Sequence, residues 1–239
     1  MRKLFRLIPP YAWACLGVML LFQLLAYTGT KPLVSSLAKH DFSLAADKNL
    51  PFLPGWIIIY LLSYAYWLFG GLAVLKGDKA FSYRFAFSYC LSMLASGIVF
   101  LTIPVTIERP EVSGKDLLSA LVRWLYRMDE PTNLFPSLHV MISWYCTRGL
   151  FHAEKLPLFI RWLSFFFTVL VCFSILFVKQ HLILDIPSAI LIAELSLLFS
   201  RLVKGERVGF FLEKRLKKQA PDGTEKTSLS LDGGSDYEQ

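Results

Sequence analysis

Residues 159–178 read FIRWLSFFFTVLVCFSILFV, a run in which Arg161 is the only charged residue. A helix rises 1.5 Å per residue, so twenty such residues match the hydrocarbon thickness of a bilayer, about 30 Å. Further apolar runs fall at residues 10–29, 55–75, 84–104, 135–152 and 182–203. The fourth run, 135–152, is interrupted by Pro136, Ser137, His139 and Arg148. Polar residues inside a span usually face a bundle interior or a cavity. No internal repeat and no strand-like alternation is visible, and lipid admits only helices and closed barrels. The expected fold is therefore all-α, a polytopic bundle of six transmembrane helices.

Composition agrees. Of 239 residues, 55% are hydrophobic and the mean hydropathy is +0.50, against roughly 45–50% apolar in soluble domains. Cys15, Cys90, Cys146 and Cys172 all lie inside apolar runs without metal-ligand spacing. They read as small buried hydrophobes, with neither a disulfide nor a metal site expected. The basic start, Arg2-Lys3-Leu4-Phe5-Arg6, precedes a run too long for a cleaved signal peptide. The chain divides into a basic N-terminus (1–8), a membrane domain (9–203) and a tail (204–239) that is first basic, then polar and disordered.

Loop charges set the orientation. One face would carry Arg2, Lys3, Arg6, Lys76, Lys79, Arg148, Lys155, Arg161 and the basic stretch from Arg201 to Lys218. The other would carry fewer: Lys31, Lys39, Lys48, Arg109, Lys115, Arg123, Arg127 and Lys179. Both termini are expected in the cytoplasm, and a bacterial plasma membrane is the expected location. The net charge of +7 is explained by this topology and by anionic lipids rather than by nucleic acid. Two outer segments stand apart. Residues 30–54 are expected to lie along the interface. Residues 114–128 read as an amphipathic helix with Leu117, Leu118, Leu121, Leu125 and Met128 on one face. Arg123 and Arg127, four apart on another face, read as interfacial anchors or substrate contacts.

The ionisable residues carry the chemistry. Arg109 follows the third run, His139 opens the fourth, and His181 and Asp185 open the sixth. In the topology above all four fall at the outer ends of their helices. Four residues apart on a helix, the His181 and Asp185 side chains are neighbours. The carboxylate would accept a hydrogen bond from one ring N–H, fixing the tautomer and leaving the other nitrogen free to attack. His139 is the candidate general acid, and Arg109 and Lys179 the candidate cations for phosphate oxygens. Pro136-Ser137-Leu138 reads as a helix start, whose free N–H groups favour an anion. Glu194, deep in the sixth run, reads as a structural residue, with Arg84 as a guessed partner.

These residues resemble the type 2 phosphatidic acid phosphatase superfamily, whose pattern is Lys-x6-Arg-Pro, then Pro-Ser-Gly-His, then Ser-Arg-x5-His-x3-Asp. This chain has Thr102-x6-Arg109-Pro110, Pro136-Ser137-Leu138-His139 and Ser174-Ile175-x5-His181-x3-Asp185. Order and spacing fit over residues 55–203. The resemblance implies metal-independent, cofactor-free chemistry through a phosphohistidine. His181 would be nucleophile, Asp185 its orienter and His139 the acid for the leaving group, with Arg109 and Ser137 binding phosphate. Thr102, Leu138 and Ile175 replace the family's lysine, glycine and arginine. Two cations are therefore missing, and Lys179 could compensate only if the chain breaks before His181. Arg123 and Arg127 are the other possible sources.

The variant also looks like the branch containing the inositol phosphorylceramide and sphingomyelin synthases, where a lipid hydroxyl replaces water. The expected function is hydrolysis of a lipid phosphate or pyrophosphate at the outer leaflet, with head-group phosphotransfer as the alternative. A transporter or silent relative is the non-enzymatic reading, although a transporter site belongs near the midplane. The expected partners are membrane lipids and the lipid phosphate itself. Oligomeric state is not legible.

Overall fold

The computed structural model describes residues 8–153 and 156–219. The expected basic N-terminus with Arg2, Lys3 and Arg6, the loop residue Lys155 and the polar tail lie outside the described residues.

Each of the six apolar runs corresponds to a helix: α1 (Pro10–Tyr27), α4 (Ile57–Leu75), α5 (Lys79–Thr102), α7 (Leu138–His152), α8 (Leu158–Phe177) and α9 (Asp185–Leu202). Between them come short helices α2 (Lys31–Ser35) and α3 (Ala45–Asn49), the lateral helix α6 (Leu117–Met128) and the terminal α10 (Glu206–Gln219). Starts follow local chemistry. Pro10 supplies a preset φ at the first turn of α1. The Asp78 and Asp116 carboxylates cap α5 and α6 by accepting from Phe81 N and Ser119 N.

Six helices do not make six independent spans. Among the described residues four are long and apolar enough to cross a membrane on their own: α1 with α2, α4 with the turn before it, α5 and α8. The short α7 has only 15 residues, because Pro136 and the cap at Ser137 delay its start. Asp185, Glu194 and Arg201 charge α9; it reaches the required apolarity only with α10, across a 68° bend.

Chain direction alternates through α1, α4, α5, α7, α8 and α9, so every second helix end falls at the same pole of the bundle. The central α5 packs against α1, α9 and α10, while α7 packs against α4, α8 and α9. Ser82, Ser88, Ser92 and Ser96 are fully buried along α5, and small residues of this kind let helices approach closely. Ser92 Oγ meets the Tyr145 hydroxyl of α7 at 2.7 Å. Gly149 brings α7 against α4, since a Cβ there would lie 2.5 Å from Val74 Cγ2. The flanks are apolar, with Leu24, Phe69, Ile98, Phe159 and Leu202 among the most exposed side chains.

The outer segments fold back onto the bundle. A two-residue parallel pairing joins β1 (His40–Asp41) to β2 (Val105–Thr106), with His40 opposite Val105. It ties the 30–54 segment to the chain leaving α5, a contact that the expected interfacial placement lacked. In α6 the buried face is Val122 and Leu125, with Leu118 and Leu121 packed beside them. Leu117 and Met128, expected on that face, are 74% and 66% exposed.

Candidate active site

At the end of α8 the chain stops in a Schellman turn. Gln180 N donates to Ile175 O at 2.9 Å and Lys179 N to Leu176 O at 3.1 Å. Lys179 takes the left-handed conformation, φ 54°, which usually favours glycine. His181 therefore lies in a turn, not on a helix. This corrects the expectation that His181 and Asp185 share one helix: Asp185 is the first residue of α9. The pair still forms, His181 Nδ1 to Asp185 Oδ2 at 2.8 Å. The same oxygen accepts from Leu182 N at 3.1 Å. Asp185 is fully buried, and two donors converge on one of its oxygens.

The ring of His139 lies 5.9 Å from that of His181, centroid to centroid. His139 is the second residue of α7, after the cap Ser137, whose Oγ accepts from Val140 N at 3.4 Å. It stacks on Tyr60 at 4.3 Å and contacts Trp67 at 4.9 Å and the edge of Tyr64 at 5.6 Å. Positions 60, 64 and 67 share one face of α4, so a single helix face supplies an aromatic cage for the imidazole.

The third anchor is Arg109. It donates to Asp129 O at 2.6 Å and to Gln180 Oε1, and its guanidinium lies 4.6 Å from the Tyr126 ring centre. The arginine thus holds the Gln180 side of the His181 turn against the end of α6. Burial lowers its pKa from the ordinary value. Beside it, Asp129 accepts from Lys31 Nζ at 2.8 Å and from the Tyr27 hydroxyl at 2.5 Å. Burial pushes this carboxyl up, but the Lys31 and Tyr27 hydrogen bonds outweigh it and leave it below the ordinary value. Sequence reasoning missed Lys31, Asp129, Gln180 and the Tyr60–Tyr64–Trp67 cage.

The other expected phosphate contacts sit elsewhere. The chain does break at Lys179, but the ammonium donates to Asp47 O at 2.9 Å. Arg123 donates to Val112 O at 3.0 Å and Gly114 O at 2.5 Å, which fixes the loop before α6. Arg127 is exposed on α6. Thr102 bonds its own helix at Ile98 O, and Ile175 is fully buried. Asp47 was also missed: its Oδ1 accepts from Ile183 N at 2.8 Å and its Oδ2 from Leu44 N at 2.9 Å. Through it α3 pins the His181 turn. Outside this turn lies a cavity of about 530 Å³, lined by Asp41, Asp47, Glu108, Arg109 and Lys179 among others. Glu194 belongs to a different cluster and pairs with Arg148, Nε to Oε1 at 2.6 Å, not with Arg84.

Unmet hydrogen-bond demand gathers here. The buried Tyr60 hydroxyl, Arg109 Nε, Asn133 Oδ1, His139 Nε2, Gln180 Nε2 and Asp185 Oδ1 have no partner. Buried polar atoms are nearly always paired, and a cluster of exceptions calls for water or ligand. Besides His139 itself these groups come from α4, α9 and the loops at this pole, while Arg148 Nε and Glu206 Oε2 are unpartnered elsewhere. Compared with models of protein families, with characterised proteins and with solved structures, the chain matches none.

Proposed function

We propose that this chain is an integral membrane lipid phosphatase that acts through a phosphohistidine on His181. The observation that carries this reading is the Asp185–His181 pair facing His139 across a space of unpaired polar atoms. The helices of membrane length and apolarity support insertion in a bilayer. In the proposed topology α1, α4, α5, α7, α8 and α9 all cross it, with short α7 and α9 shielded by their neighbours. Both termini lie in the cytoplasm, the histidines face the outside, and the membrane is a bacterial plasma membrane.

Asp185 accepts a hydrogen bond from Nδ1–H of His181, which fixes the tautomer with the lone pair on Nε2. Nε2 attacks phosphorus, the bond to the lipid oxygen breaks, and His139 passes a proton to that oxygen. A phosphomonoester monoanion brings such a proton itself and can leave it on the unpartnered Nε2 of His139. Neutral His139 then takes a proton from water, which attacks the phosphohistidine and releases phosphate. Arg109 and the N–H groups at the start of α7 offset charge on the phosphoryl oxygens.

The rate is expected to be bell-shaped in pH. Attack needs a free ring nitrogen, and departure needs a proton for the leaving oxygen. A flat profile from pH 5 to 9, with chemistry limiting, would contradict these roles. Purified protein with excess EDTA, tested on a panel of lipid phosphates beside His181→Ala, examines the reading as a whole. Release that survives EDTA and vanishes in the variant is the expected result; no release from any lipid would sink hydrolysis.

The cavity beside the turn favours a second reading. Its lining sets Asp41, Asp47 and Glu108 against Lys48, Arg109 and Lys179, a charge-balanced polar surface able to hydrogen-bond the hydroxyl of an acceptor. A lipid alcohol would then take the phosphoryl group in place of water, and adding such alcohols to the assay separates the two.

A further inference from the structure

The pole opposite the histidines carries a second cavity, of about 180 Å³, where α5, α7 and α9 end together. Each helix offers one face to it: Phe81 and Phe85 from α5, Arg148 and His152 from α7, Leu197 and Arg201 from α9. Within each pair the residues are four apart, the spacing that places two side chains side by side on a helix. We propose that this cavity binds the phosphate group of an anionic ligand, with Arg148 and Arg201 as its cations.

Arg148 is held ready for such a role. Glu194 Oε1 lies 2.6 Å from its Nε as an ion pair, Oε2 accepts from its Nη2 at 3.2 Å, and Trp144 Nε1 donates to Oε1 at 2.7 Å; Nε itself has no aligned acceptor. This grip orients the guanidinium and uses one edge of it. The other edge, ending in Nη1, remains for an oxyanion, and the arginine fork suits phosphate geometry. The pair is not sealed in the core, since both side chains are 37% exposed. Arg201, two turns along α9 from Glu194, is exposed in the last turn. Among the described residues two arginines stand against the one carboxylate of Glu194, a positive balance, and Phe81 stacks flat on His152 at 3.8 Å to form the cavity wall.

The terminal helix places a lipid phosphate within reach. It bends away from α9 by 68° and lies against α5, where Glu213 pairs with Lys79 at 2.7 Å. Phe211 and Leu216 are 56% and 68% exposed on it, among Arg207, Lys214, Arg215, Lys217 and Lys218. Such a helix rests in the headgroup layer and gathers anionic lipid. The shared chemistry is phosphate, from a phospholipid headgroup or from solution. This proposal does not depend on the activity at the histidine pole.

The test uses the full chain in detergent, with thermal unfolding followed against dioctanoyl phosphatidylglycerol, inorganic phosphate and dioctanoyl phosphatidylcholine. The phosphodiester avoids hydrolysis as a phosphomonoester, and His181→Ala separates the two poles. Phosphatidylglycerol is expected to raise the melting temperature saturably in wild type and equally in His181→Ala. Arg201→Gln is expected to weaken the apparent affinity about tenfold. The paired change Arg148→Gln with Glu194→Gln strands no charge and is expected to do the same. Saturation by inorganic phosphate at similar concentrations identifies free phosphate as the source; saturation by the lipid alone identifies the headgroup. The proposal is overturned if neither anion outperforms phosphatidylcholine. It is equally overturned if both variants respond like wild type.

Discussion

Asp185→Asn separates the charge of the His181 partner from its geometry. In the structure one carboxylate oxygen, Oδ2, takes both the His181 Nδ1 proton at 2.8 Å and the Leu182 N–H at 3.1 Å. A backbone N–H can only donate, so it selects the oxygen of an asparagine for that position. The amide nitrogen then falls where Oδ1 was, an atom without a partner in the wild type. Asparagine therefore keeps His181 in the same tautomer and removes only the negative charge. Charge-assisted bonds contribute about 1.5–3 kcal/mol against about 0.5–1.5 for neutral ones. The difference of about 1–2 kcal/mol corresponds to a rate loss of roughly 5–30-fold. Asp185→Ala removes the orienter as well, and losses on the order of 10⁴ accompany loss of tautomer control in a triad. Single-turnover phosphate release from the best lipid substrate measures both variants. If asparagine and alanine were equally damaging, Leu182 would not govern the tautomer; if neither slowed release, His181 would not be the nucleophile.

Two further outcomes follow from the loops. Asp47→Ala strips the charged acceptor from the part-buried Ile183 and Leu44 N–H groups and is expected to cost about 1–3 kcal/mol. It should also slow turnover by loosening the His181 turn, so a destabilised protein with wild-type turnover would argue against that positioning role. Asp129 is depressed in the folded protein by Lys31 and Tyr27, against about 3.9 in an unfolded chain. Its contribution is complete above the unfolded value and is lost as pH falls through the lower folded value. Melting temperatures of wild type should therefore drop more steeply below about pH 4 than those of Asp129→Asn; parallel curves would remove Asp129 from the account.

The helices were legible because apolar runs register directly in composition. The spacing of His181 and Asp185 was legible too, though for another reason than helical periodicity. A left-handed Lys179 ends α8, and nothing marks a lysine for that conformation as a glycine would. The turn that follows still brings the two side chains together. Lys31, Asp47 and Asp129 could not be found by pattern, since they sit in mixed segments and reach the site through tertiary contacts. The strand pairing that carries α3 to the histidine pole is two residues long, too short to show alternation. Glu194 shows the same limit within a helix. Its partner depends on how α9 rotates against α7, and it faces Trp144 and Arg148, four apart on that helix.

The most direct test of the central claim is the site of phosphorylation during turnover. Wild-type protein is incubated with a lipid labelled at its phosphate, quenched in alkali to preserve phosphohistidine, and digested for mass spectrometry. The account predicts label on the His181 peptide, none in His181→Ala, and faster accumulation than release when His139 is replaced by glutamine and the leaving group is an activated phenol. Phosphate release by wild type without label at His181, or release that persists in His181→Ala, would contradict it.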